Sequence, residues 1–289
     1  MSLNNKIDFV VFFTVNKANP NGDPLNGNRP RIDFEGYGEV SDVCIKRKIR
    51  NRWMDMEQNV FVQSDCNCKD GFKSLKERWE SNPKVKDNSN EEELARIACE
   101  EWLDIRGFGQ VLAFKSKAAK GISIGVRGPI SIHTATSLDK VEVNSMQITK
   151  SVNSETTEKG TKSSDTMGMK HRIDFGVYKL CGSINVQLAE KTGLSKEDAE
   201  LLKEALCTLF ENDASSARPE GSIEVNKVYW FEHKSKTGEV PTAKIHQGLS
   251  AEVVNAELNT FERYAIQEKE WEGFEKEEVT SQLTVYKAR

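Results

Sequence analysis

The stretch Asn19–Asp33, NPNGDPLNGNRPRID, constrains this chain most. It holds three of the seven prolines, four asparagines and two glycines. Proline lacks an N–H and glycine frees the backbone, so the segment continues neither a strand nor a helix. An apolar run precedes it. Ile7, Phe9, Val10, Val11, Phe12, Phe13 and Val15 predict a buried strand over residues 7–15. A basic amphipathic stretch, SDVCIKRKIRNRW, follows the loop. Ser41 suits a helix N-cap, with Asp42 in the first turn. Ile45, Ile49, Trp53 and Met56 recur at helical spacing; Lys46, Arg47 and Arg50 fall on a neighbouring arc, with Lys48 and Arg52 elsewhere.

The length of 289 residues bounds the chain to one large domain or two small ones, with enough core to need no disulfide staples. No apolar run is long enough to span a bilayer, and Asp8 interrupts the first one, so neither a membrane span nor a signal peptide is expected. The six cysteines are then expected as free thiols in a reducing cytoplasm. Cys66 and Cys68 are the only close pair and the four histidines are scattered, so no metal site and no cofactor are expected. A net charge of −4 argues against a uniformly basic nucleic-acid binder, yet phosphates respond to local patches.

Residues 60–90 read as an irregular, polar insertion, and 91–105 as a helix turning Leu94, Ile97, Ala98, Trp102 and Ile105 inward. ISIGVRGPISIHTA predicts a second strand region, interrupted at Gly125 and Gly128–Pro129. Residues 145–172 are rich in Ser, Thr and Lys and read as a protruding, mobile hairpin or loop. FGVYKLCGSINVQLA reads as a strand. Ser195 opens a helix with Ala199, Leu202, Leu206 and Leu209 inward, and IEVNKVYWFEHK is the last strong strand. From about residue 255 the tail is acidic and helical in tendency. The order strand, helix, strand, strand, helix, strand predicts an α+β fold with a ferredoxin-like (βαββαβ) core. Such a core serves many functions and specifies none.

Five basic residues lie between Lys46 and Arg52 with no acid among them, and Arg29 and Arg31 stand upstream. Phosphate contact accounts for that density, although charge runs also form solvated helix faces. RGFGQVLAF begins like an RNA-recognition signature, but Gln110 stands where a stacking aromatic is needed, so it reads as a helix-ending turn. Met167 and Met169 sit beside Lys170, His171 and Arg172; they could wedge between bases or pack the hairpin base, and the sequence leaves both open. Asp23, Asp33 and Asp42 could hold a divalent metal for phosphodiester cleavage. Their turn and capping positions, with no acid/base partner nearby, favour a structural role.

NPNGDPLNGNRPRID followed by SDVCIKRKIRN resembles the N-terminal hallmark of the backbone subunit of type I CRISPR surveillance (Cascade) complexes, in particular the type I-C, Cas seven, group. VRGPISIH, SMQITKSVN, DTMGMKHRIDFGVY and SARPEGSIEVNKVYW are similar to the same family, so the resemblance runs to about residue 234. It implies a modified RRM fold shaped like a hand. The palm would be residues 1–56, 106–141 and 176–250, with fingers inserted at 57–105, a thumb hairpin at 142–175 and an acidic tail at 251–289 packing on the core or a partner. It implies no catalysis. Copies of the chain would stack along one CRISPR RNA, present it for pairing with target DNA, and meet the guide-processing cap, large and small subunits. The alternative is a metal-dependent target-RNA endonuclease of the type III kind. Carried onto this sequence, the RNA-binding residues are Asn19, Asn21, Arg29 and Arg31 in the loop, Lys46, Arg47, Lys48 and Arg50 on the helix, and Met169, Lys170, His171 and Arg172 in the thumb.

Overall fold

A computed structural model describes residues 1–86, 88, 90–114, 122–150, 167–268 and 283–287. The chain begins with β1 (Ile7–Ala18), a short hairpin of β2 (Gly22–Asp23) and β3 (Arg29–Pro30), then β4 (Tyr37–Val40) and α1 (Asp42–Asp55). Four helices follow: α2 (Leu75–Ser81), α3 (Pro83–Lys86), α4 (Glu91–Glu101) and α5 (Leu103–Phe108). Next come β5 (Gly109–Phe114), β6 (Ile122–Arg127), β7 (Ile130–Ile132), β8 (Ala135–Lys140), β9 (Val143–Thr149) and the long β10 (Met167–Ile184). The last third contains α6 (Val186–Thr192), α7 (Lys196–Cys207), β11 (Ile223–Glu232), α8 (Thr242–Gly248), β12 (Leu249–Val253), β13 (Tyr264–Glu268) and β14 (Leu283–Lys287).

The main sheet runs β14–β11–β1–β10–β8–β4, with β7 and β9 paired to other stretches of β10. Every pairing in it is antiparallel. The apolar run Phe9–Phe13 of β1 follows from cover on both faces. Phe9, Val11, Phe13 and Val15 meet Ile45, Ile49 and Trp53 of α1 and Leu202 and Leu206 of α7. Val10 and Phe12 point the other way and pack with Tyr229 and Leu249. Burying each such side chain contributes roughly 1.5–3 kcal/mol. Asp8 is also buried inside this strand; it accepts from His233 at 2.8 Å and faces Lys6 at 3.3 Å.

A second apolar cluster lies outside the main sheet. Phe61, Trp79, Leu94, Ile97, Trp102 and Ile105 join Leu112 and Ile124, the latter two from the β5–β6 hairpin.

Several local expectations change. The helix predicted over 91–105 breaks at Trp102, whose backbone is extended (φ −120°, ψ 121°) because Leu103 N–H bonds Asn59 O at 2.9 Å. The strand read over 175–189 ends at Ile184; Asn185 caps α6 by accepting from Leu188 N–H. Gly125 does not interrupt β6, whereas Gly128–Pro129 does separate β6 from β7. The tail expected to be helical from about 255 instead pairs 264–268 with 249–253 and places 283–287 beside β11. Residues 269–282, with much of its charge, lie outside the described residues. Ser195 and Asp198 form a full reciprocal capping box at the start of α7.

Candidate nucleic-acid interface

The loop is held by its own asparagines. Asn19 is buried and donates Nδ2–H to Asn28 O at 2.7 Å, closing the β2–β3 hairpin. Gly27 and Asn28 both adopt left-handed backbone (φ 58° and 63°), which glycine and asparagine tolerate best. A Cβ on Gly22 would lie 2.3 Å from Asn28 Oδ1 and 3.0 Å from Asn28 O, so a larger residue there requires the Asn28 side chain to move. Asn21 accepts from Ser41 N–H and Ser41 Oγ–H, tying the loop to the start of α1. At its far end Arg31 O accepts from Glu39 N–H at 2.9 Å, so the loop is anchored at both ends.

The cations divide by role. Arg29 is partly exposed and has no ion pair among the described residues. Arg31 faces Asp23 at 3.3 Å. On α1, Lys46 pairs with Asp42 at 3.0 Å, and Arg47 is exposed, donating to Cys66 Sγ at 3.3 Å. Lys48 and Arg50 point into the protein. Lys48 is buried on Asp213, and its pKa is lowered by desolvation, which Asp213 opposes. Arg50 donates to the buried Asp104 at 2.8 Å and lies over the Phe108 ring. Helical periodicity placed these side chains on an arc but could not name their partners, because Asp213 and Asp104 are distant in sequence.

In the hairpin, β9 and β10 place Met167, Met169 and His171 opposite Thr149, Gln147 and Ser145. Neighbouring residues alternate, so Lys170 and Arg172 point to the other face. Met167 and Met169 are 65% and 56% exposed; neither packs the hairpin base. His171 Nδ1 lies 2.8 Å from Ser145 Oγ, and Arg172 is 3.8 Å from Asp174. Residues 151–166, the middle of the hairpin or loop expected over 145–172, lie outside the described residues.

The three carboxylates weighed for metal chemistry serve local structure. Asp23 caps a short turn by accepting from Leu25 N–H, Asp33 accepts from Glu35 and Tyr37 N–H, and Asp42 pairs with Lys46. Among the described residues no three His, Cys, Asp or Glu side chains gather as a metal-holding group.

Arg218 was missed. It bonds Asp213 at 2.8 Å, so Lys48 and Arg218 share one carboxylate. Its turn is fastened to the loop, because Asn19 N–H donates to Ala217 O at 2.9 Å. SARPEG lies far from Asn19 in the sequence, and only the fold brings the two together.

The fold and surface together define an antiparallel-sheet protein with a rigid, cation-flanked loop. The chain belongs to the CRISPR-associated protein Cas7 family, whose model matches residues 5–269. A curated relative, CRISPR-associated protein Cas7 of Haloferax volcanii, is 24% identical over 229 residues, covering 75% of this chain and 67% of its own. Among solved structures, a chain of a "CRISPR RNA-guided surveillance complex, pre-nicking" superposes with TM-score 0.47 at 13% identity, covering 78% of this chain and 75% of that one. Another, from a "CRISPR RNA-guided surveillance complex", gives TM-score 0.41 at 16% identity over 78% and 68%. Among the described residues no helix is long and apolar enough to cross a membrane.

Proposed function

We propose that this chain is the non-catalytic, CRISPR RNA-binding backbone subunit of a type I-C Cascade complex in the cytoplasm. Copies of it line one guide RNA and leave its bases free to pair with target DNA. The cap, large and small subunits complete the assembly. The observation carrying this reading is the anchored Asn19–Asp33 loop flanked by Arg29 and Arg47, which have no carboxylate partner among the described residues. Cations without a carboxylate partner beside a rigid backbone bind phosphate without reading sequence.

Two further features support it. The strand order β11–β1–β10 with β7 and β8 beyond follows the split βαβ arrangement, so the palm reading rests on topology. The sheet face that RNA-recognition modules use for base stacking is covered here by Leu249, Phe261 and Ile266, which leaves the loop and α1 as the RNA surface. The second apolar cluster serves as the fingers at 57–105, and the β9–β10 hairpin as the thumb at 142–175. Met169 and His171 contact RNA from one face of that thumb and Lys170 and Arg172 from the other, Arg31 and Lys46 extend the track, and Asn19, Asn21, Lys48 and Arg50 shape it. The endonuclease alternative finds no supporting arrangement in Asp23, Asp33 or Asp42.

The test is co-expression with a CRISPR array. The purified protein should carry RNA of defined length, visible in the ultraviolet absorbance ratio. Arg29→Ala with Arg47→Ala should strip that RNA and flatten the salt dependence of binding. RNA-free protein, or a double variant retaining full guide occupancy, sinks the reading.

A further inference from the structure

A cleft of about 370 Å³ lies between α4, β6 and α6, away from the loop and α1. Its walls include Arg96, Arg127, Lys191, Thr192, Glu92 and Cys99. Arg96 is neutralised by Glu93 and Glu100. The Arg127 and Lys191 side chains are exposed and have neither an ion-pair nor a hydrogen-bond partner among the described residues. Thr192 is only 6% exposed, and its Oγ1 makes no hydrogen bond. A buried hydroxyl without a partner costs free energy that a ligand would recover. Burial pushes the Cys99 thiol up to about 11, so it adds no negative charge to the wall. Glu92 is the one acid lining the cleft.

We propose that this cleft binds a phosphate group of a nucleic-acid strand, with Arg127 and Lys191 supplying charge and Thr192 Oγ1–H a hydrogen bond. Two cations without internal partners beside one buried donor suit an anion. The volume admits a nucleotide-sized group. The phosphate comes either from the guide RNA or from the DNA strand paired to it. The proposal rests on the nucleic-acid binding proposed above, although no residue of the loop or of α1 lines the cleft.

The test measures binding of the full chain to a fluorescent single-stranded RNA, alone and annealed to complementary DNA, across a salt series. R127A/K191A should lower the slope of log affinity against log salt by about 0.7 for each phosphate that the variant no longer neutralises. Thr192→Val should weaken binding about tenfold with the slope unchanged, because a hydroxyl carries no charge. A change with RNA alone identifies guide phosphates; a change only with the hybrid identifies the DNA strand. Inorganic pyrophosphate supplies an arm without nucleic acid: at fixed ionic strength it should raise the melting temperature of wild type and not of R127A/K191A. If wild type binds no RNA, the proposed backbone function fails and this arm alone decides the cleft. Unchanged slopes and an unchanged pyrophosphate shift in the double variant overturn the proposal. So does loss of self-association with nucleic-acid binding intact, which would make the cleft a protein–protein surface.

Discussion

One oxygen of Asn21, Oδ1, accepts from both the backbone N–H and the hydroxyl of Ser41, at 2.9 and 2.8 Å. The same hydroxyl accepts from Cys44 N–H at 3.4 Å as the N-cap of α1. A loop residue thus orients the cap that starts the basic helix. Asn21→Ala should cost about 1–2 kcal/mol by freeing that cap. Asn21→Asp keeps the acceptor and should retain most of the stability. Urea denaturation of both variants checks this, and equal losses would show that the amide acts in some other way.

Lys48 and Arg47 are adjacent in sequence and should behave oppositely. Lys48→Ala leaves the largely buried Asp213 with Arg218 alone, so it should destabilise by less than a buried charge left wholly unpaired, about 3–5 kcal/mol, yet by more than about 1 kcal/mol. Arg47→Ala removes an exposed side chain and should stay within about 0.5 kcal/mol. The RNA readout should reverse this order: Arg47→Ala weakens binding, whereas folded Lys48→Met, which keeps the apolar stem, binds nearly as well as wild type. Thermal unfolding and fluorescence anisotropy on the same preparations separate the two effects.

Local patterns in the sequence carried much of the main sheet and the helices packed on it. The apolar run of β1, the Ser41 cap and the Ile45–Ile49–Trp53 stripe are set by neighbours a few residues away, so periodicity and capping rules find them. The break at Trp102 was not legible, because Asn59 causes it from more than forty positions upstream. The acidic tail misled for a related reason: charge density suggested a helix, while Leu249 and Ile266 were needed to cover the second face of the sheet. At the candidate site, residue types were readable and their partners were not. Nothing local distinguishes Arg50, bonded to Asp104, from Arg47, which faces outward.

Met167 and Met169 are exposed on one face of the β9–β10 hairpin, where they add little to the core. Replacing both with Ser should leave stability within about 0.5 kcal/mol per site. On the proposed function, RNA affinity should fall by about 1 kcal/mol per methionine, the scale of a sulfur–aromatic interaction with a base. Anisotropy with a fixed RNA measures this. Unchanged affinity would remove the methionine face from the RNA surface and leave Lys170 and Arg172 on the opposite face as the hairpin's contribution.

His246 gives the fold a pH dependence. It is buried, its Nε2 lies 3.0 Å from Gly182 O, and burial holds its pKa below the ordinary 6.5. Asp8 opposes that shift, while His133 and Lys179 reinforce it. The unfolded chain therefore takes up a proton below pH 6.5 that the folded chain refuses. The stability from neutral His246 is present above that pH and is lost as pH falls through the lower, folded value, at no more than about 1.4 kcal/mol per pH unit. Asp8 acts in a separate window: its pKa lies below 3.8, so its contribution is lost only at more acidic pH. His246→Gln preserves a donor for Gly182 O and removes the titration. Its stability should fall less steeply than wild type from pH 6.5 downward, with the curves running parallel above that. Urea midpoints at half-unit pH steps measure it; parallel curves over the whole range would place the acid sensitivity elsewhere.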